Sequence, residues 1–351
     1  MNVHIAIPVL AEMESLPNLL AAMDAQTLDN FEVWICVNQP EDYHEDMLYA
    51  DIVKQNEVVL EFLETRGGEN YHILDHASHG MGWKNKKHSG VGWARKVIMD
   101  AICRVADIDD IIISMDADTV FNPGYFASVK ANLKGHPNAV GLVIPYEHHL
   151  SGDTAIDRAA LRYELYMRYY NCQQWRIGSK YNFTAFGSAL AIRVADYSAV
   201  GGISPKQAGE DFYLLQKLRK YGPLLLWNEE KVYPMARESF RIPFGTGPAI
   251  TKGLANDWSS YPFYSQESFD QIRDSIALYP KLYEHDVDTP MTEFLKSIFH
   301  TDDLWSDMRK NFKTQTDFVR SCHTRIDGLR QVQFLKSQNT SPNDTALFDY
   351  L

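Results

Sequence analysis

The stretch Ile111–Thr119, IIISMDADT, limits what this chain can fold into more than any other. Ile111, Ile112 and Ile113 form a β-branched run, which reads as a central strand buried on both faces. The strand runs into Asp116 and Asp118, with only Ala117 between them. In an extended chain, residues two apart point to one side, so both carboxylates are expected to face one point beyond the strand's end. Two anions held that close need a cation or a proton between them. Oxygen-only ligands favour a hard divalent ion, Mg²⁺ or Mn²⁺, whose remaining ligands come from water and a substrate phosphate. The plainer reading is that the two acids open a turn towards Asn122, Pro123 and Gly124.

The surrounding chain alternates short apolar runs with helical patterns, the signature of a parallel sheet with crossover helices. Strands are expected over Val3–Val9, Glu32–Asn38, Tyr71–Leu74 and Ala139–Pro145. Leu16, Leu19, Leu20 and Met23 recur at helical spacing, with Ser15 a candidate N-cap and Pro17 in the first turn. A further helix is expected over Asp51–Glu64, and another with Trp93, Val97, Ala101 and Val105 lining its apolar face. Strand ends at Pro8–Val9, Asn38 and Asp116–Asp118 fall together at one edge, where open parallel sheets bind ligands.

The 351 residues suffice for one large domain and a smaller one. A net charge of −12 argues against wholesale binding of nucleic acid or of an anionic membrane surface. Cys36, Cys103, Cys172 and Cys322 are scattered without a CxxC pair, which reads as reduced thiols and suits the cytoplasm. Peripheral attachment at the inner face of a membrane stays open. The start MNVHIAIPVL reads as a first strand, not a signal peptide, and no apolar run approaches membrane-spanning length.

Taken in order, IPVLAE (Ile7–Glu12), WICVN (Trp34–Asn38), GVGWAR (Gly90–Arg95), DAD (Asp116–Asp118) and GED (Gly209–Asp211) resemble the family 2 glycosyltransferases. The resemblance spans roughly residues 1–245. It implies an α/β, GT-A fold: a Rossmann-like, mostly parallel central sheet flanked by helices. The catalytic domain would cover 1–245, and a mostly helical C-terminal extension 246–351. It also implies metal-dependent transfer of a sugar, with inversion, from a UDP- or GDP-type nucleoside-diphosphate sugar to a saccharide or other hydroxyl acceptor. The QxxRW pattern of processive members is missing, so a non-processive reaction is expected.

Residue by residue, the resemblance puts Pro8 and Glu12 near the base and ribose. Asn38 stands where family members carry a base-contacting aspartate; an amide still offers a donor and acceptors. Arg95 matches the arginine near the diphosphate, and its fork suits phosphate. Asp116 and Asp118 match the metal and nucleotide ligands. Asp211 matches the catalytic base, with Glu210 the second candidate, because a sugar hydroxyl must lose its proton as the new bond forms. Read without the resemblance, Glu210 and Asp211 are acids at the start of a helix whose apolar face is Phe212, Leu215 and Leu218.

The loop His76–Gly92 is rich in Gly, Lys and His, and Lys84, Lys86 and Lys87 can add charge beside a diphosphate. Its histidines fit no standard zinc spacing. Residues Arg237–Gly247 carry Arg237 and Arg241 and suggest a loop closing on the diphosphate or an anionic acceptor. His148 and His149 are candidates to reach the acceptor or the metal. The aromatic stretch Tyr146–Lys180 reads as core by its helical spacing, or else as an acceptor platform. Amphipathic helices are expected over Met291–Phe299, Leu304–Phe312 and Phe318–Leu335, with acceptor recognition, packing and homo-oligomer formation open. Two other classes stay in view. A sugar nucleotidyltransferase would show a GxGTR-type loop where LAEMES stands, and a non-catalytic nucleotide-sugar binding protein needs no base.

Overall fold

A computed structural model describes residues 1–206, 209–239 and 245–338. Arg241 lies outside the described residues. The chain forms two compact units, one from Met1–Leu161 with Ala185–Thr251, the other from Arg162–Thr184 with the chain from Lys252 on. The first unit thus runs past residue 245 to Thr251, and Arg162–Thr184 groups with the C-terminal helices. The cause is its apolar side chains. Tyr169 and Ile177 are buried in the same core as Phe263, Tyr264, Phe269 and Phe318.

The first unit holds a mostly parallel sheet flanked by helices, as expected. Its strands are β1 (Val3–Val9), β2 (Phe31–Asn38), β3 (Tyr71–His76), β4 (Ile111–Ser114), β5 (Thr119–Phe121), β6 (Gly141–Val143), β7 (Leu190–Arg193), β8 (Leu224–Leu225) and β9 (Val232–Pro234). Seven of them form a sheet in the order β3-β2-β1-β4-β7-β6-β8, and β5 pairs with β9 in a second, two-stranded sheet. β7 runs antiparallel to both β4 and β6, while the other pairs of the large sheet are parallel. The helices of this unit that matter here are α1 (Leu16–Asp24), α2 (Ala50–Arg66), α3 (Val91–Ile102), α4 (Tyr125–Gly135) and, after α5 (Thr154–Arg176) and α6 (Val194–Ala199), α7 (Glu210–Tyr221).

β4 is the buried central strand its isoleucines predict, with Ile111, Ile112 and Ile113 inaccessible between β1 and β7. Two expectations fail beside it. The strand stops at Ser114, and the Thr119 N–H donates to the Asp116 carbonyl at 3.2 Å, closing a turn. Asp116 and Asp118 therefore sit in a turn and not on an extended segment, and the two-residue alternation does not apply to them. On α3, the buried stripe is Ala94, Arg95, Ile98, Met99 and Ile102. The expected stripe of Trp93, Val97, Ala101 and Val105 is not the buried one, and Val105 lies past the helix end, 69% exposed.

The second unit is helical. Its core gathers Tyr169, Phe263, Phe269, Met291, Leu295, Trp305 and Phe334, with Tyr166 and Tyr170 packed against it. The tyrosine stripe is thus core, whereas Trp175 is 72% exposed. The single helix expected over Phe318–Leu335 is two, Gln315–Arg325 and Gly328–Ser337, because the Asp327 carboxylate accepts the Arg330 N–H and caps the second. Among the described residues, no helix is long and apolar enough to cross a membrane.

Because Ile113 is fully enclosed, Ile113→Ala should cost about 2–5 kcal/mol. A urea titration followed by a first-unit probe measures it, and a loss below about 1 kcal/mol would contradict the central placement of β4.

Candidate active site

At the edge where β1 and β2 end, the backbone is cross-tied. Pro8 lies beyond the last β1–β4 pair, Ala6 with Ser114. It faces the same side as Ala6, whose carbonyl takes the Met115 N–H. Its missing N–H therefore breaks no ladder bond. Ala11 follows with φ +53° and donates its N–H to Asn56 Oδ1 at 2.8 Å. Asn38 is buried, and both ends of its amide are engaged. Its Nδ2 donates to the Val9 carbonyl at 2.8 Å, and its Oδ1 accepts the Trp83 indole N–H at 3.2 Å. Trp83 stacks on His76, ring centres 4.2 Å apart.

Arg95 occupies the middle of the unit's acidic cluster. It lies just over one turn into α3, with a side chain only 3% exposed. Nη2 donates to Asp116 Oδ1, and Nη1 donates to Glu210 Oε1 at 3.2 Å. Burial opposes its charge, but Asp116, Glu210 and Asp211 hold it protonated. Gly187 makes room for it, since a Cβ there would stand 2.3 Å from Nη1. The Gly187 carbonyl is held in turn by Ser114 Oγ at 2.6 Å.

Glu210 and Asp211 open α7 after Gly209, which takes the left-handed φ of +78° that glycine accommodates. Acids in a first turn are favoured by the helix dipole. The segment before them packs tightly on α3, because a Cβ at Gly92 would stand 2.2 Å from the Lys206 carbonyl. Burial raises the Glu210 carboxyl above the ordinary range, with Asp211 and Asp116 adding to the rise and Arg95 opposing it. The Asp211 carboxyl is raised as well, first by burial and further by Asp116. Arg95 and the Phe212 N–H, 2.7 Å from Asp211 Oδ1, work the other way.

Asp118 has a separate partner. Arg237 reaches its Oδ2 with Nε at 2.8 Å and Nη2 at 2.7 Å, and the same Nη2 is 2.6 Å from Glu12 Oε1. Even so, the Asp118 carboxyl is pushed up to about 6, by burial first and then by Asp116 and Glu12 against the pull of Arg237. Among the described residues, Glu12, Asp116, Asp118, Glu210 and Asp211 are five acids that share the guanidinium groups of Arg95 and Arg237. That unrelieved negative charge and the all-oxygen donor set fit a hard divalent ion. Among the described residues no three acidic, His or Cys side chains form a ready cage. Asp116 and Asp118 would therefore supply only part of the shell, as is usual for Mg²⁺ or Mn²⁺.

The remaining sequence candidates lie as follows. Lys87 is exposed in a short turn, its N–H held by Asn85 Oδ1 at 2.9 Å. His148 is buried edge-on to Phe186, with Nε2 3.2 Å from Thr246 Oγ1. Two residues carry more than the sequence reading assigned them. Arg237 bridges Glu12 and Asp118, and Gly187 admits the Arg95 guanidinium. Two arginines and two glycines within Arg237–Gly247 were the only sequence signal for the first.

No known protein-family profile matches the chain, and no curated protein sequence matches it. Solved structures similar to it include S. aureus TarS 1–349 in complex with UDP-GlcNAc, at 12% identity over 96% of this chain and 91% of that one, TM-score 0.45. Another is glucosyl-3-phosphoglycerate synthase from Mycobacterium tuberculosis with Mn²⁺, UDP and glucosyl-3-phosphoglycerate, at 9% identity over 78% and 79%, TM-score 0.40. A third is the mannosyltransferase PcManGT from Pyrobaculum calidifontis with GDP-Man and Mn²⁺, at 13% identity over 96% and 79%, TM-score 0.40.

Two outcomes follow from the geometry. Asp118 titrates near 6 in the folded chain and near 3.9 when unfolded. The stability its protonated form contributes is complete below about pH 4 and is lost as pH rises through about 6. Asp118→Asn should therefore flatten the fall in metal-free stability between pH 4 and 7 by on the order of 2 kcal/mol. Urea midpoints across that range test this, and an unchanged slope would contradict it. Gly187→Ala, forced against a buried guanidinium, should cost about 1–3 kcal/mol in the same assay, and a neutral result would mean Arg95 is free to shift.

Proposed function

We propose that the protein is a glycosyltransferase that moves a sugar from a UDP- or GDP-type nucleoside-diphosphate sugar to an acceptor hydroxyl, with a divalent ion and with inversion. The observation that carries this reading is that one buried arginine, Arg95, links Asp116 of the acid pair in the turn after β4 to Glu210 of the acid pair opening α7. Cation-binding acids suit the leaving diphosphate, and the acids opening α7 suit the incoming hydroxyl. Residues 1–245 are read as the catalytic body, and the mostly helical chain from 246 on as an extension.

In this reading Asp118 and Asp116 would hold Mg²⁺ or Mn²⁺. Bound there, such an ion supplies Lewis-acid stabilisation of the charge that develops on the departing nucleoside diphosphate. The elevated basicity of Asp211 suits it to take the acceptor's proton. The acceptor oxygen attacks the anomeric carbon from the face opposite the diphosphate, and the bond from that carbon to the phosphate oxygen breaks. One displacement of this kind inverts the anomeric configuration. Arg95 acts as a positioning residue, fixing Glu210 at the head of α7 relative to Asp116.

Turnover of a panel of UDP- and GDP-sugars with and without Mn²⁺, with the product anomer read by proton NMR, tests the proposal. Asp211→Asn should lower kcat by about 10²–10⁴-fold with Mn²⁺ uptake intact, and the product should be inverted. A retained anomer would contradict the role of Asp211. Pyrophosphate release from a nucleoside triphosphate would point to nucleotidyl transfer instead.

A further inference from the structure

We infer that Arg237 is a resident counter-ion for Asp118 and Glu12, so that a divalent ion enters this site only together with a nucleoside diphosphate. This deepens the function proposed above and rests on it. Arg237 sets Nε 2.8 Å and Nη2 2.7 Å from one oxygen, Asp118 Oδ2, and spans to Glu12 Oε1 at 2.6 Å. One guanidinium thus covers an oxygen a hard cation would take and ties two acids together.

The two arginines of the cluster differ in freedom. Arg95 is 3% exposed and Arg237 is 38% exposed. The backbone just before Arg237 is anchored, because Ala236 is buried and donates its N–H to the His149 carbonyl at 3.0 Å. The side chain can therefore swing from a fixed base without opening the core.

Charge then sets which ligands can bind together. With Arg237 in place, Asp118 Oδ2 already faces both Nε and Nη2 of the guanidinium. A divalent ion added beside it would sit against a guanidinium of like charge on the same oxygen, which a partly desolvated site resists. The ion alone must expel the guanidinium and the two strong charge-assisted bonds it makes. A nucleoside diphosphate reverses the balance. Its oxygens accept the arginine fork, which frees the carboxylate oxygens, and its negative charge offsets the ion. Each ligand therefore raises the affinity for the other, as linkage requires.

The test is calorimetric titration of Mn²⁺ into the full chain, alone and with UDP or GDP, for the wild type and Arg237→Met. Arg237→Met should bind Mn²⁺ alone about tenfold more tightly than the wild type, and the gain from added nucleotide should shrink by a similar factor. Should Arg237→Met not fold, Arg237→Gln carries the same expectation. Wild-type uptake that needs nucleotide, with the variant needing it equally, would overturn the counter-ion role and leave the transferase reading standing. No Mn²⁺ uptake by the wild type even with UDP and GDP would remove the metal-dependent reading, and the inference with it.

Discussion

A guanidinium removed from water is costly unless its partners are good, and Arg95 is such a group. Its Nη2 bond to Asp116 and its Nη1 bond to Glu210 tie the turn after β4 to the head of α7, with α3 providing the base. Removing the arginine would leave Glu210 buried beside Asp211 and Asp116 without the counter-charge that opposes their repulsion, which is far more damaging than the net value of the pair. Three parts of the first unit are therefore held in one arrangement. The position of Asp118 depends on the turn that Asp116 begins, and the position of Asp211 depends on the helix start that Glu210 anchors.

The same arrangement leaves charge unresolved. Burial and mutual repulsion raise the carboxyls of Asp118, Glu210 and Asp211 above their ordinary range, although two arginines oppose the rise. Such a site is destabilising to the fold and useful to chemistry, because raised acids are better bases and anionic surplus attracts a cation. The division of labour between the arginines follows from exposure. The enclosed one sets geometry, and the open one can exchange partners.

Much of the fold was legible in the chain. Ile111–Ile113 announced the central strand, and the alternation of apolar runs announced a mostly parallel sheet. The presence of the acids was legible too, but their geometry was not. A hydrogen bond from Thr119 to Asp116 turns the chain where simple alternation predicts extension. The buried face of α3 is not legible in the sequence, because an arginine reads as solvent-facing until its partners are known. Those partners lie 21 and 115 residues away. Arg237 meets Glu12 across 225 residues, a contact no local pattern encodes. Likewise, the tyrosines of α5 could be assigned to core by spacing, but not to the core they share with Phe263 and Phe269.

The most direct test is the relaxation that bound Mn²⁺ imposes on the phosphorus nuclei of a nucleoside-diphosphate sugar held by the protein. The account predicts that both phosphorus signals broaden as expected for direct contact with the ion, and that Asp118→Ala abolishes the broadening while the nucleotide still binds. Phosphorus signals untouched by Mn²⁺ in a complex known to be occupied would contradict it.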